Sequence, residues 1–307
     1  MNVLIAADME GIAGIEDYRD CLPSHPAAYA RGRRQMTDEV LVAIEALRAG
    51  GVEAISVGDW HMVGTNIERE RMPAGVEVRP IADLALNETE PSMAKAHGGP
   101  LDAVVMIGHH AKTPSPRGFC SHTFVWGMEV LLGGESLSET QTYAQALGAE
   151  GIPILVAAGD RWLLEETRAG ELGSARLVTT KEGEGRGRAS SVEPADAHVA
   201  LRGAIAGGLS EPLQPPPARD YPAELVIKVD GAEIARTTVA DPAELLTAIA
   251  TVFRTSQVSK EYRQLAKLLP PESSRLRAFQ RRAGSLLATP TMRSKERQWL
   301  ATSSPAP

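Results

Sequence analysis

The stretch Asn2-Val3-Leu4-Ile5-Ala6-Ala7-Asp8-Met9-Glu10-Gly11 passes from an unbroken apolar run to two carboxylates and a glycine. Apolar residues without polar alternation suit a strand buried on both faces, as in parallel sheets covered by helices. Val3–Ala7 is therefore read as a short buried strand. Asp8 and Glu10 lie two apart at its exit, so an extended backbone points both carboxylates the same way. Gly11 then lets the chain turn.

Working outward, the same pattern recurs. Thr37-Asp38-Glu39 reads as a helix start, with Val40, Ile44 and Leu47 on one face and Gly50-Gly51 as the stop. Ala54–Val57 is a second buried strand that runs into Gly58-Asp59-Trp60-His61, and Val76–Val78 is a short third. Ala103–Ile107 ends in Gly108-His109-His110. Phe124–Leu132 reads as extended, Leu137–Leu147 as helix and Ile152–Ala157 as another buried strand before Gly159-Asp160. Strands alternating with helices predict an α/β fold with a layered, mostly parallel sheet.

Residues 1–170 form the expected catalytic α/β domain, and a second, smaller α/β region spans 171–254. The latter holds a glycine- and arginine-rich loop (Lys181–Arg188), a helix opened by Glu193-Pro194, and a rigid corner at Pro215-Pro216-Pro217. A strand (Leu225–Val229) and a helix starting at Asp241-Pro242 follow. Residues 255–307 are expected to be a basic helical tail, broken at Pro270-Pro271 and Pro290 and disordered at its end.

The 307-residue chain is 43% hydrophobic, enough for a well-filled core. No apolar run reaches the ~20 residues of a membrane span, and the N-terminus has no basic leader, so the expected location is the cytoplasm. Cys21 and Cys120 form neither a disulfide framework nor a metal knuckle. The net charge of −7 argues against nucleic-acid binding. That charge is uneven: ten Lys/Arg against three acids give residues 255–307 a charge of +7, leaving −14 on the rest. Such a tail could dock on the acidic body, on a neighbouring subunit or on an anionic partner, although solvated helical faces explain it more simply.

In open α/β sheets ligands gather beyond the carboxyl ends of the strands. Asp8, Glu10, His61 and the His109/His110 pair all fall there. Carboxylate and imidazole are the donors for zinc or a related divalent ion. Each residue also has a plainer reading. Asp8 suits a strand-end turn, Glu10 a solvated loop and His61 core packing, while Glu139 suits the N3 position of a capping box opened by Ser136.

The motifs Ala7-Asp8-Met9-Glu10-Gly11-Ile12-Ala13-Gly14, Tyr29–Glu39, Gly58-Asp59-Trp60-His61, Gly108-His109-His110-Ala111 and Ser121-His122-Thr123 resemble the D-aminopeptidase family of dizinc peptidases, family M55. The resemblance runs from Asn2 to about Val252. It implies two zinc ions per chain, with Asp8 bridging them, Glu10 and His61 completing one site, and His110 and Glu139 the other. His109 stands where the family often has an aromatic residue, which favours His110 as the ligand. His122 resembles the family's catalytic histidine, either stabilising the oxyanion or passing a proton to the leaving amine.

The resemblance further implies hydrolysis of small D-amino-acid peptides or amides and a ring-shaped homo-oligomer, with a decamer the assembly it suggests. Lys181 or Arg188 could hold a substrate carboxylate, against a plainer reading as solvated loop residues. Cys120 reads as a bystander rather than a nucleophile. Rival readings are a dizinc amidohydrolase acting on a specialised non-peptide amide, a nucleotide-binding module built on the glycine pairs, and an inactive scaffold homologue.

Overall fold

A computed structural model describes residues 1–62, 64–80, 98–255 and 290–301. The first strand, β1 (Asn2–Ala7), lies inside a seven-stranded sheet. Its companions are β2 (Ala54–Asp59), β3 (Glu77–Pro80), β4 (Ala103–His109), β7 (Ile154–Asp160), β8 (Arg176–Gly183) and β9 (Ala189–Ser191), in the order β3-β2-β1-β4-β7-β8-β9. All pairings are parallel except that of β9 with β8. Four further strands form an antiparallel sheet, β11-β10-β5-β6, from β5 (Met128–Leu132), β6 (Glu135–Leu137), β10 (Ala223–Val229) and β11 (Ala232–Val239). The fold is the expected layered α/β architecture.

The sheets interleave along the chain. The large sheet draws β8 and β9 from beyond residue 170, and the small one draws β5 and β6 from before it.

Alternation along β1 builds two cores at once. Val3, Ile5 and Ala7 pack against α1 (Pro26–Ala49) and α4 (Pro194–Leu209) through Met36, Val40, Ile44, Leu201 and Ile205. Leu4 and Ala6 face the other layer with Val104, Met106, Tyr143 and Leu147, the last two from α2 (Glu139–Ala149), while the short α3 (Arg161–Glu166) follows β7. Fully burying each branched aliphatic side chain stabilises the fold by roughly 1.5–3 kcal/mol. A polar residue at any of these strand positions would face helix, not water. The small sheet packs its own apolar face against α5 (Leu245–Thr255).

Several boundaries differ from the expectation. Helix α1 begins at Pro26, where proline's fixed φ suits the first turn, rather than at Thr37. The Thr37 hydroxyl instead donates to the Arg33 carbonyl and accepts from the Glu68 amide, so the apparent cap is an interior brace. Strands β2, β4 and β7 run on through Asp59, His109 and Asp160, whose buried polar side chains are satisfied by Asn66, Thr140 and the Phe119 amide. The extended stretch shortens to Met128–Leu132, since Phe124 and Gly127 take positive φ and turn the chain. Leu137 closes β6 instead of opening the helix. Lys181 lies in β8, fully buried, not in a solvated loop. Of the tail, α6 (Pro290–Ala301) is a helix that starts at Pro290. The expected break at Pro270-Pro271 and the disordered end lie outside the described residues. No helix among the described residues is long and apolar enough to cross a membrane.

Candidate metal centre

The order of the large sheet sends the chain from β1 to β2 on one side and to β4 on the other, which opens a crevice beyond their carboxyl ends. Asp8 and Glu10 leave β1 there, with the Asp8 amide still donating to the Ile107 carbonyl at 2.9 Å. His61 leaves β2 and His110 leaves β4. Gly108, at φ +73°, makes the approach possible, because a Cβ on it would collide with the Asp8 carbonyl.

The Asp8 carboxylate divides its two oxygens. Oδ1 lies 3.4 Å from His61 Nδ1, and Oδ2 lies 3.4 Å from His110 Nε2. On the first side, Glu10 Oε2 is 3.0 Å from the same His61 nitrogen. On the second, Glu139 Oε1 is 3.6 Å from His110 Nε2. Asp8, Glu10 and His61 thus form one group with metal-ligand spacing, and Asp8, His110 and Glu139 another. Asp8 belongs to both.

The second nitrogen of each imidazole is held away from the cleft. His61 Nε2 donates to the Cys21 carbonyl at 2.8 Å, and His110 Nδ1 to the Ala111 carbonyl at 3.0 Å. Such contacts fix the tautomer and leave the inward nitrogen as a lone-pair donor. His109 faces the opposite side of β4, meeting the Thr140 hydroxyl at 3.0 Å and the Trp60 ring edge-on. The strand's alternation therefore leaves His110, not His109, in the cleft.

Glu139 arrives from the small sheet. The helix cap beside it is Ser138, whose hydroxyl accepts from the Gln141 amide while the Gln141 side chain closes the box on the Ser138 amide. Glu139 is the first helical residue and not the N3 partner of Ser136. Its side chain is free to turn inward, where Oε1 also accepts from the Phe124 amide at 2.6 Å.

His122 stacks on His110, with ring centroids 4.1 Å apart, and its Nε2 lies 3.7 Å from Glu139 Oε1. Its Nδ1 donates to the Cys120 carbonyl at 2.7 Å. Cys120 is buried, and burial pushes its thiol up from the ordinary range, so it is no nucleophile.

Three carboxylates with two histidines between them leave the cleft short of positive charge. Burial works to raise the Asp8 carboxyl, but hydrogen bonds from His110 and His61 outweigh it and hold it well below the usual range. Burial pulls on both histidines in the other direction, yet His61 stays well above its ordinary value through Glu10 and Asp8. His110 is raised to about 10 through Asp8. Burial lifts Glu139 to about 7. Burial and the neighbouring His110 charge push His122 down to about 3, so it is a neutral imidazole at pH 7. Buried carboxylates and imidazoles in this arrangement are a donor set that suits divalent cations.

Comparison with known proteins decides the family. The profile of the M55 peptidases, described as D-aminopeptidase, matches residues 1–267. The chain belongs to the M55 family of D-aminopeptidases. Its fold is similar to a solved structure, the Zn-dependent D-aminopeptidase DppA from Bacillus subtilis, described as a self-compartmentalizing protease. That likeness has a TM-score of 0.67 at 21% identity and covers 83% of this chain and 97% of the other. No curated protein matches the chain. The family match extends past Val252, where the sequence motifs fade, but stops short of α6.

Sequence reasoning missed the residues that brace this M55 centre. Asp59 accepts from the amides of Asn66 and Ile67, and the Asn66 side chain donates to the His61 carbonyl, fixing the turn that carries His61. From α1, the Tyr29 hydroxyl and the Arg33 guanidinium reach the Asn66 side chain and backbone, which explains the length of the Tyr29–Glu39 motif. Lys181 Nζ donates to the Glu10 carbonyl at 2.6 Å and to the Ile15 carbonyl. It anchors the Glu10 turn instead of meeting a substrate, and Arg188, the other candidate, is exposed beside Asp17. Periodicity carries no signal for a buried lysine. The glycine-rich surroundings alone suggested a loop.

Proposed function

We propose that the chain is a zinc-dependent aminopeptidase that removes N-terminal D-amino acids from short peptides or amides. The donors fit two zinc ions per chain, with Asp8 as the bridge, Glu10 and His61 on one side, His110 and Glu139 on the other. The observation that carries this reading is the division of the Asp8 oxygens between two ligand groups. When bound, a zinc pair lowers the pKa of a water towards neutrality and polarises the scissile carbonyl.

The chain's own residues do the rest. With its Nδ1 proton committed to the Cys120 carbonyl, His122 offers Nε2 as an acceptor. It takes a proton from the attacking water and returns it to the leaving amine, which favours the proton-transfer role over oxyanion stabilisation. A burial of nine-tenths or more at Asp8, Glu10, His61, His110 and Glu139 keeps bulk water out and strengthens each interaction. All six residues lie within 1–170, the segment we take as the catalytic region. Like the self-compartmentalizing relative, the chain would assemble with its own kind, in a ring of ten by family resemblance, and we place it in the cytoplasm.

The test is hydrolysis of D-alanyl and L-alanyl amides by the purified chain, alongside its zinc content and the variant His122→Ala. The expected result is about two zinc ions per chain and preference for the D substrate, with turnover in His122→Ala reduced by ~100-fold or more while zinc is kept. Full activity in a metal-free protein would sink the proposal, and unchanged turnover in the variant would remove His122 from the mechanism.

A further inference from the structure

Helix α6 lies beyond the residues matched by the family, yet it packs beside the centre. Trp299 is buried and stacks on Trp126 with centroids 4.8 Å apart and planes at 12°. Its carbonyl accepts from the Arg186 guanidinium at 3.0 Å, and that guanidinium also donates to the Ser121 hydroxyl at 3.3 Å. The Trp299 indole nitrogen points at the Ser121 carbonyl from 3.5 Å. One turn earlier, Glu296 meets His25 Nε2 at 3.3 Å. Ser121 and Trp126 bracket His122.

The bracketed loop has reason to need a hold. Cys120 and Phe124, two residues either side of His122, take φ of +50° and +61°. Non-glycine residues in that region cost about 1–3 kcal/mol each and persist only where their surroundings impose them. Inside the loop, the Cys120 amide donates to the Arg186 carbonyl and the His122 amide to the Ala111 carbonyl. Trp299 and Arg186 close the loop's outer side. Tyr18 meets the Trp299 ring edge-on and extends the cover to the turn before Cys21, whose carbonyl holds His61.

We propose that α6 is a clasp, with Trp299 as a positioning residue that holds the His122 loop in its working conformation. This rests on the role given to His122 above. The contacts given above run to Ser121, Trp126, Arg186, Tyr18 and His25 rather than to a ligand residue, so loosening the clasp should slow proton transfer without releasing metal. A displacement of ~1 Å at a catalytic group costs on the order of 100-fold, so a partial loosening should cost ~10-fold.

The experiment compares Trp299→Ala, Trp299→Leu and Trp299→Phe in the full-length, zinc-loaded chain, with His122→Ala in parallel. Readouts are kcat, KM, zinc content and amide exchange. The expected alanine variant keeps both zinc ions and a KM near that of the parent, loses ~10-fold in kcat, and exchanges faster only across residues 119–126. Phenylalanine, which retains a ring over Trp126, recovers most of the rate. Unchanged kcat in the alanine variant, beside an inactive His122→Ala, overturns the clasp and leaves the mechanism standing. An active His122→Ala instead overturns the mechanism itself. If the alanine variant does not fold, leucine decides. A leucine variant that folds but also loses zinc or exchanges faster everywhere makes Trp299 an ordinary core residue and overturns the clasp.

Discussion

Replacing Lys181 with methionine tests whether the Glu10 turn is held from below. Methionine keeps most of the volume among Phe119 and its neighbours but removes the ammonium, which sits 4.8 Å from the Phe119 ring centre. The carbonyls of Glu10 and Ile15 then lose that donor. An unsatisfied buried acceptor costs about 1–3 kcal/mol, giving roughly 2–6 kcal/mol for the two. Relief from burying a charge offsets roughly 1–2 kcal/mol of this. A net loss of about 2 kcal/mol should lower Tm by about 3 °C in a chain of this size. Because the Glu10 backbone also sets the Glu10 carboxylate, zinc affinity should fall about 10- to 100-fold, as for other contacts that orient a ligand. Thermal unfolding of the metal-free chain and a competitive zinc titration give the two values. An unchanged Tm with unchanged affinity would refute the anchoring role.

Three further outcomes follow from the geometry. His110→Ala should lose zinc and turnover together, whereas His109→Phe should keep both within a few-fold and cost ~1 kcal/mol through the lost Thr140 contact; the opposite pattern in zinc analysis would reverse the assignment. Ser138→Ala should lower stability by about 0.5–2 kcal/mol and weaken zinc binding, because the cap orients Glu139; a Tm and an affinity both equal to the parent's would exclude it. Above about pH 6.5 the metal-free chain should become less stable as pH rises. Burial pulls His110 down, but Asp8 raises it to about 10, so its contribution is complete below the unfolded value near 6.5 and disappears as pH approaches 10. Glu139, lifted by burial from an ordinary value near 4.5 to about 7, adds its loss earlier, between about pH 4.5 and 7. Calorimetry with and without chelator should show a falling Tm only in the metal-free sample, and a flat or rising one would contradict this.

Much of the fold was legible because β1, β4 and β7 are unbroken apolar runs and β2 is interrupted only by Ser56, and two-sided burial explains such runs. Asp8, Glu10, His61 and His110 were legible because strand ends place them, and chain direction alone indicates which end. Glu139 was ambiguous because Ser136, three residues before it, suits a cap, whereas in the structure Ser138 is the cap. Only the path of β6 settles which one caps the helix. The start of α1 was misread because Thr37-Asp38-Glu39 imitates a cap while serving as a brace for the turns around Ala13 and Glu68. The bracing roles of Lys181 and Asp59 were invisible for a common reason: each holds backbone groups of a neighbouring turn, and no periodicity encodes those. The tail's docking was open in the sequence, since its positive charge suggested electrostatics whereas the described contacts of α6 include the stacking of Trp299 on Trp126.

The most direct test of the account is the anomalous scattering of zinc in a crystal of the chain. Two peaks per chain are expected, about 3.5–4 Å apart, with one oxygen of Asp8 on each. The first should also touch Glu10 and His61 Nδ1, the second Glu139 and His110 Nε2. A single peak, or a pair that Asp8 does not join, would contradict the account.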